Sequence, residues 1–61
     1  MTKKVYYIEN ANCLDDALAF LTNSIPCFVE RRFIEMNYSA VTVLCRVEDL
    51  ISVERILAPL V

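Results

Sequence analysis

Ala40-Val41-Thr42-Val43-Leu44-Cys45-Arg46 is the stretch from which the fold follows. Val41, Val43 and Cys45 fall on one side and Thr42 and Leu44 on the other, the period-two pattern of a strand with one buried face. Asn37-Tyr38-Ser39 before it is turn material. Upstream of that turn, Cys27 to Met36 predicts a second strand, so the two form a hairpin. Phe28, Val29, Phe33, Ile34 and Met36 supply its apolar side, with Glu30, Arg31, Arg32 and Glu35 outside. Parity slips within this run, which predicts a bulge near Arg31–Arg32. Those two arginines, beside Glu30 and Glu35, are expected to form a charged edge that resists unwanted pairing, or alternatively an interface hot spot.

Further out, Leu14, Ala17, Leu18 and Leu21 recur at helical spacing and predict a helix from Cys13 to about Asn23. Asn12 is its expected N-cap and Asp15 its capping-box acid, with Asp15 and Asp16 matched to the helix dipole. Ile25, preceding Pro26, ends it. Lys3 to Ile8 is β-rich and apolar on both faces, as an inner or covered strand would be. At the other end, Leu50, Val53, Ile56, Leu57 and Leu60 mark the apolar face of a helix from Glu48 to about Ala58, stopped by Pro59; a shorter helix capped by Ser52 is the alternative.

The order is β-α-β-β-α. A right-handed crossover places both helices on one face of a three-stranded antiparallel sheet, in which the third strand pairs with both others. This is an α+β, ferredoxin-like plan with its fourth strand missing, which leaves the first strand with an open edge.

Composition narrows what such a domain can do. Sixty-one residues with net charge −2 form one domain, and 57% of them are hydrophobic, above the usual figure of about 45–50%. A core this small hides only about 60% of the unfolded chain's surface, so apolar surface should remain for a partner. The absence of Gly excludes glycine-dependent phosphate loops, and the absence of His removes the commonest catalytic base and zinc ligand. Asp15 and Asp16 stand about 100° apart on a helix and do not converge on one substrate atom. An enzyme is not expected. Uncharged runs, Ala17 to Val29 and Met36 to Cys45, are shorter than the roughly 20 residues of a membrane span. The apolar run at the amino end stops at Glu9, too soon for a signal peptide, and a cytoplasmic location is expected. Cys13, Cys27 and Cys45 are too few and too widely spaced for a disulfide framework; Cys27 and Cys45 are expected as small buried hydrophobes.

Ile8-Glu9-Asn10-Ala11-Asn12-Cys13 followed by a helix resembles the metal-binding loop of heavy-metal-associated domains, the copper chaperones and amino-terminal modules of metal-pumping ATPases. In their Gly-Met-x-Cys-x-x-Cys loop, Asn10 stands at the Gly, Ala11 at the Met, Cys13 at the first Cys and Asp16 at the second. Val29, Val41-Thr42-Val43 and Ser52-Val53-Glu54-Arg55-Ile56 are similar to the family's later strands and second helix. The resemblance implies a ferredoxin-like fold and a degenerate site, with Cys13 and Asp16 as its remnant metal positions. One thiolate and one hard carboxylate do not select Cu(I).

The functional expectation is a non-enzymatic protein-interaction module without a cofactor. It would act as a homodimer, or take a partner's strand, through the open edge, with Val5, Tyr6, Tyr7, Ile8, Arg31 and Arg32 as interface residues. An alternative is a soft-metal (copper-type) site formed by Cys13 of two copies. RNA binding is a minor alternative suggested by the same element order; Val41-Thr42-Val43-Leu44 and the negative charge count against it.

Overall fold

The computed structural model of the protein describes residues 1–61. Strand β1 (Thr2–Glu9) is followed by helix α1 (Asn12–Ser24), strands β2 (Cys27–Phe33) and β3 (Tyr38–Cys45), and helix α2 (Leu50–Leu57). Short 3₁₀ turns, Val47–Asp49 and Ala58–Leu60, flank α2. The sheet is antiparallel in the order β1-β3-β2, so β3 is central and pairs with both neighbours. Its alternation runs as the sequence predicts: Val41, Val43 and Cys45 are fully buried, while Thr42 and Leu44 face the opposite, helix-free side.

One core lies between that buried face and the helices. Tyr6 and Ile8 of β1 join Val41, Val43 and Cys45, and Leu14, Leu21, Ile25, Val53 and Leu57 close over them. Ala17, Leu18, Leu50, Ile56 and Leu60 pack around this centre, so both predicted apolar helix faces are the buried ones. Ile25, extended before Pro26, donates its N–H to the Leu21 carbonyl and finishes α1.

Several boundaries differ from expectation. α1 begins at Asn12, and extended Ala11 takes the N-cap position without a side-chain bond. The backbone of Asn10 is drawn into a pairing with Asn37, N···O 2.6 Å, which leaves Ala11 as the residue leaving the strand. Asp15 does not complete a capping box, because its carboxylate pairs with Arg31. β2 stops at Phe33, and no bulge interrupts it: the register runs unbroken from Cys27–Cys45 to Phe33–Ser39. Arg31 therefore shares the helix-covered side with Cys27 and Val29, while Phe28, Glu30 and Arg32 occupy the other. An inward arginine is tolerated here because Asp15, Asn10 and Ser39 all bond its guanidinium. Ile34 to Asn37 form the hairpin loop, closed by the Ile34 N–H on the Tyr38 carbonyl at 3.1 Å. The last helix is shorter than predicted and Ser52 lies inside it rather than capping it. β1 is an edge strand and only one of its faces is covered. No helix is long and apolar enough to cross a membrane.

Candidate functional site

The outer edge of β1 carries unused hydrogen-bonding capacity, and the ladder identifies which residues hold it. In antiparallel pairs, hydrogen-bonded and non-bonded positions alternate. The Asn10 N–H reaches the Asn37 carbonyl in the same register as the β1–β3 ladder. The bonded positions are thus Asn10, Ile8, Tyr6, Lys4 and Thr2. The intervening residues, Lys3, Val5, Tyr7 and Glu9, turn their N–H and C=O groups away from β3. No other strand receives them.

The expected interface residues of β1 divide accordingly. Val5 and Tyr7 are 41% and 63% exposed on the helix-free face, and their backbone groups point outward. Tyr6 and Ile8 are 6% and 2% exposed; their side chains belong to the core and their backbone groups to β3.

Beside this edge, on the helix side, runs a groove of about 840 Å³ lined by Lys4, Leu50, Ile51, Glu54, Arg55 and Ala58 with Pro59. The groove is mostly apolar, and two of its polar residues are tied together at the strand: Lys4 Nζ lies 3.2 Å from the Glu54 carboxylate, to which the Tyr6 hydroxyl also donates. Burial, together with the Glu54 charge, raises the Tyr6 phenol well above its ordinary value. The hydrogen bond from Tyr6, and then that from Lys4, lowers Glu54. The helix-free face of the sheet is apolar as well. Val5, Tyr7 and Phe28 are exposed there, and a smaller hollow of about 430 Å³ lies over Phe28, Thr42 and Leu44 between Lys3 and Glu30.

Arg31 and Arg32 part company. Arg31 is bonded to Asp15, to Asn10 Oδ1 at 3.0 Å and to Ser39 Oγ at 3.3 Å, and it lies over the Phe33 ring at 4.8 Å. It ties the β1–α1 junction to the hairpin. Arg32 remains exposed. The free edge of β2 thus carries charged Glu30, Arg31 and Arg32 at its centre, residues of the kind that discourage strand addition.

Cys13, in the first turn of α1, and Asp16, just past it, are both exposed, and no group of three or more Cys, Asp or Glu side chains is placed to hold a metal. Sequence patterning missed the α2 groove, because Ile51 and Ala58 read as the solvent side of an amphipathic helix. It also missed Glu54 as the partner of Tyr6. The Lys4–Tyr6 alternation next to a helical acid is the only signal, and it is a weak one. Compared with protein-family models, curated proteins and solved structures, the chain matches none.

Proposed function

We propose that this chain is a small, non-enzymatic protein-interaction module that pairs with a second copy of itself along the outer edge of β1. The observation carrying this reading is the row of outward-turned backbone groups at Lys3, Val5, Tyr7 and Glu9. The row is complementary to itself. Laid antiparallel with Lys3 opposite Glu9 of the second copy, it also sets Val5 opposite Tyr7, and the same two pairs recur beyond the dyad at Tyr6. All eight residues lie on the helix-free face, and their backbones would exchange about eight hydrogen bonds. Cross-strand charge and aromatic–β-branched pairs of this kind each favour association modestly.

Leftover apolar surface supports the same reading. All three phenylalanines, Phe20, Phe28 and Phe33, are exposed, and so are Val5, Tyr7 and Ile51. A doubled sheet would continue the apolar strip formed by Val5 and Tyr7, and would bring the Ile51–Ala58 side of α2 towards its counterpart. In this reading the β-α-β-β-α order and the Asn10–Cys13 loop mark a heavy-metal-associated type of module whose second loop thiol has become Asp16. Antiparallel pairing holds Glu9 of the two copies about 20 Å apart at roughly 3.3 Å per residue, and Cys13 lies beyond each. A copper-type site shared by two Cys13 thiols therefore requires a different dimer.

Light scattering over a concentration series tests the proposal. The expected mass is twice 7.0 kDa, with the amides of Lys3, Val5, Tyr7 and Glu9 slow to exchange with deuterium. A 7.0 kDa species up to millimolar concentration, or an open-ended series of larger masses, overturns it.

A further inference from the structure

Cys27 opens β2, Cys45 closes β3, and the two are direct cross-strand partners. Neither is in a disulfide. The kind of pair they make follows from the ladder. The Ile34 N–H donates to the Tyr38 carbonyl in the same register, so the even-numbered positions of β2 are the hydrogen-bonded ones. Cys27–Cys45 is a non-hydrogen-bonded pair. The other side of β3 agrees, since its odd-numbered residues are the ones bonded to β1, as a central strand requires. Non-hydrogen-bonded partners have Cα atoms about 4.5 Å apart, inside the roughly 4.4–6.8 Å that a disulfide spans. Both side chains point to the helix-covered face. Cys45 is fully buried, whereas Cys27 is only partly covered, with its Sγ 4.0 Å from the Leu21 carbonyl oxygen.

We propose that Cys27 and Cys45 form a reversible dithiol–disulfide site, oxidised by low-molecular-weight disulfides of the glutathione class. Cys27 is the entry point. Its thiolate attacks one sulfur of the small disulfide; that S–S bond breaks, the first small thiol leaves and takes up a proton, and a mixed disulfide remains on Cys27. The Cys45 sulfur then displaces the second small thiol from Cys27, and its proton passes to the departing thiolate. The protein loses two protons and two electrons, and the small disulfide gains them to become two thiols. Cys45 needs no contact with the reagent, because its target is the neighbouring Cys27 sulfur. Burial, with the charges of Cys45 and Asp49 nearby, raises the Cys27 thiol, so Cys27 rests protonated. The bond would close the hairpin at the end opposite the Ile34–Asn37 loop. The residues lie too far apart in the chain for spacing to have suggested it.

The test uses the full chain carrying Cys13→Ser, a change at an exposed position, equilibrated in glutathione redox buffers and trapped by alkylation. Mass spectrometry is expected to show a loss of two hydrogens without retained glutathione, and a tryptic fragment joining Cys27 to Cys45. The effective molarity of the native dithiol should exceed that of the same chain in guanidinium chloride by about a hundredfold or more, because the ladder already aligns the sulfurs. A further Cys45→Ala change should leave glutathione trapped on Cys27. Equal effective molarities in the native and denatured chains, or glutathione persisting on Cys27 while Cys45 stays free, overturns the proposal.

Discussion

The Tyr6 hydroxyl donates a 2.5 Å hydrogen bond to Glu54, joining the edge strand to the second helix across most of the length of the chain. Lys4 completes the arrangement at 3.2 Å from the same carboxylate oxygen. A half-exposed ion pair adds little alone. The tyrosine gives this one its direction, because a buried phenol must keep its proton to donate.

That proton gives stability two pH limits. Glu54 has its pKa lowered by folding, so its contribution is present above the ordinary carboxylate value of about 4.3 and is lost as pH falls below it. Tyr6 has its pKa raised, so its contribution is present below about pH 10 and is lost as pH rises from there. Urea midpoints of the wild type and Tyr6→Phe are expected to differ most near neutrality and to converge towards both extremes. A difference independent of pH would remove Glu54 as the partner.

Proline scanning separates the two sides of β1. Val5→Pro removes an N–H that faces outward, a placement edge strands tolerate, so the chain should stay folded and become monomeric. Tyr6→Pro removes an N–H bonded to β3 along with a core side chain, so the fold should be lost. Circular dichroism with light scattering reads both. A dimeric Val5→Pro protein would move the interface elsewhere.

Charge reversal tests the register. Lys3→Glu sets like charges opposite each other at both ends of the paired strands, and dimer dissociation should strengthen by about tenfold at low salt. Adding Glu9→Lys restores opposite signs, and the double variant should return to within about threefold of wild type. The single-variant effect should shrink in about 1 M salt, where the screening length is about 3 Å. Sedimentation equilibrium measures all three.

Arg31 offers a stability test away from the interface. Arg31→Lys keeps the charge but cannot reach Asp15, Asn10 and Ser39 together, because an ammonium lacks the planar fork. Ser39 is fully buried and loses a donor. The expected cost is about 1–2 kcal/mol in chemical denaturation, with dimerisation unchanged in the folded fraction.

Much of this fold was legible because the apolar periods are clean. Val41, Val43 and Cys45 alternate strictly, and Leu14 to Leu21 and Leu50 to Leu60 repeat at helical spacing, so element types and topology followed. The second strand misled because Arg31 sits inward, and its satisfied guanidinium reads in sequence as a slipped parity. Asn12 misled at the helix start because its neighbour Asn10 was claimed by the hairpin loop, a long-range event. In the candidate site, the sequence placed Val5, Tyr6, Tyr7 and Ile8 on one strand but did not tell the exposed pair, Val5 and Tyr7, from the buried one. The burial of Tyr6 and Ile8 followed only once one face of β1 was known to be uncovered. The groove beside α2 and the Cys27–Cys45 pairing depend on register, which residue spacing alone does not encode.

The central position of β3 also orders events in time. β2 and β3 can zip from a four-residue reversal, Ile34 to Asn37, within microseconds, whereas β1 reaches β3 only by closing a loop that contains α1 and the whole of β2. Conservative truncations in the hairpin, such as Val43→Ala, are therefore expected to slow refolding. Those in β1, such as Ile8→Ala, should chiefly hasten unfolding in stopped-flow measurements. The strand with the empty flank should thus be the last to dock, so encounter between two copies should follow maturation of each one and then delay its undoing.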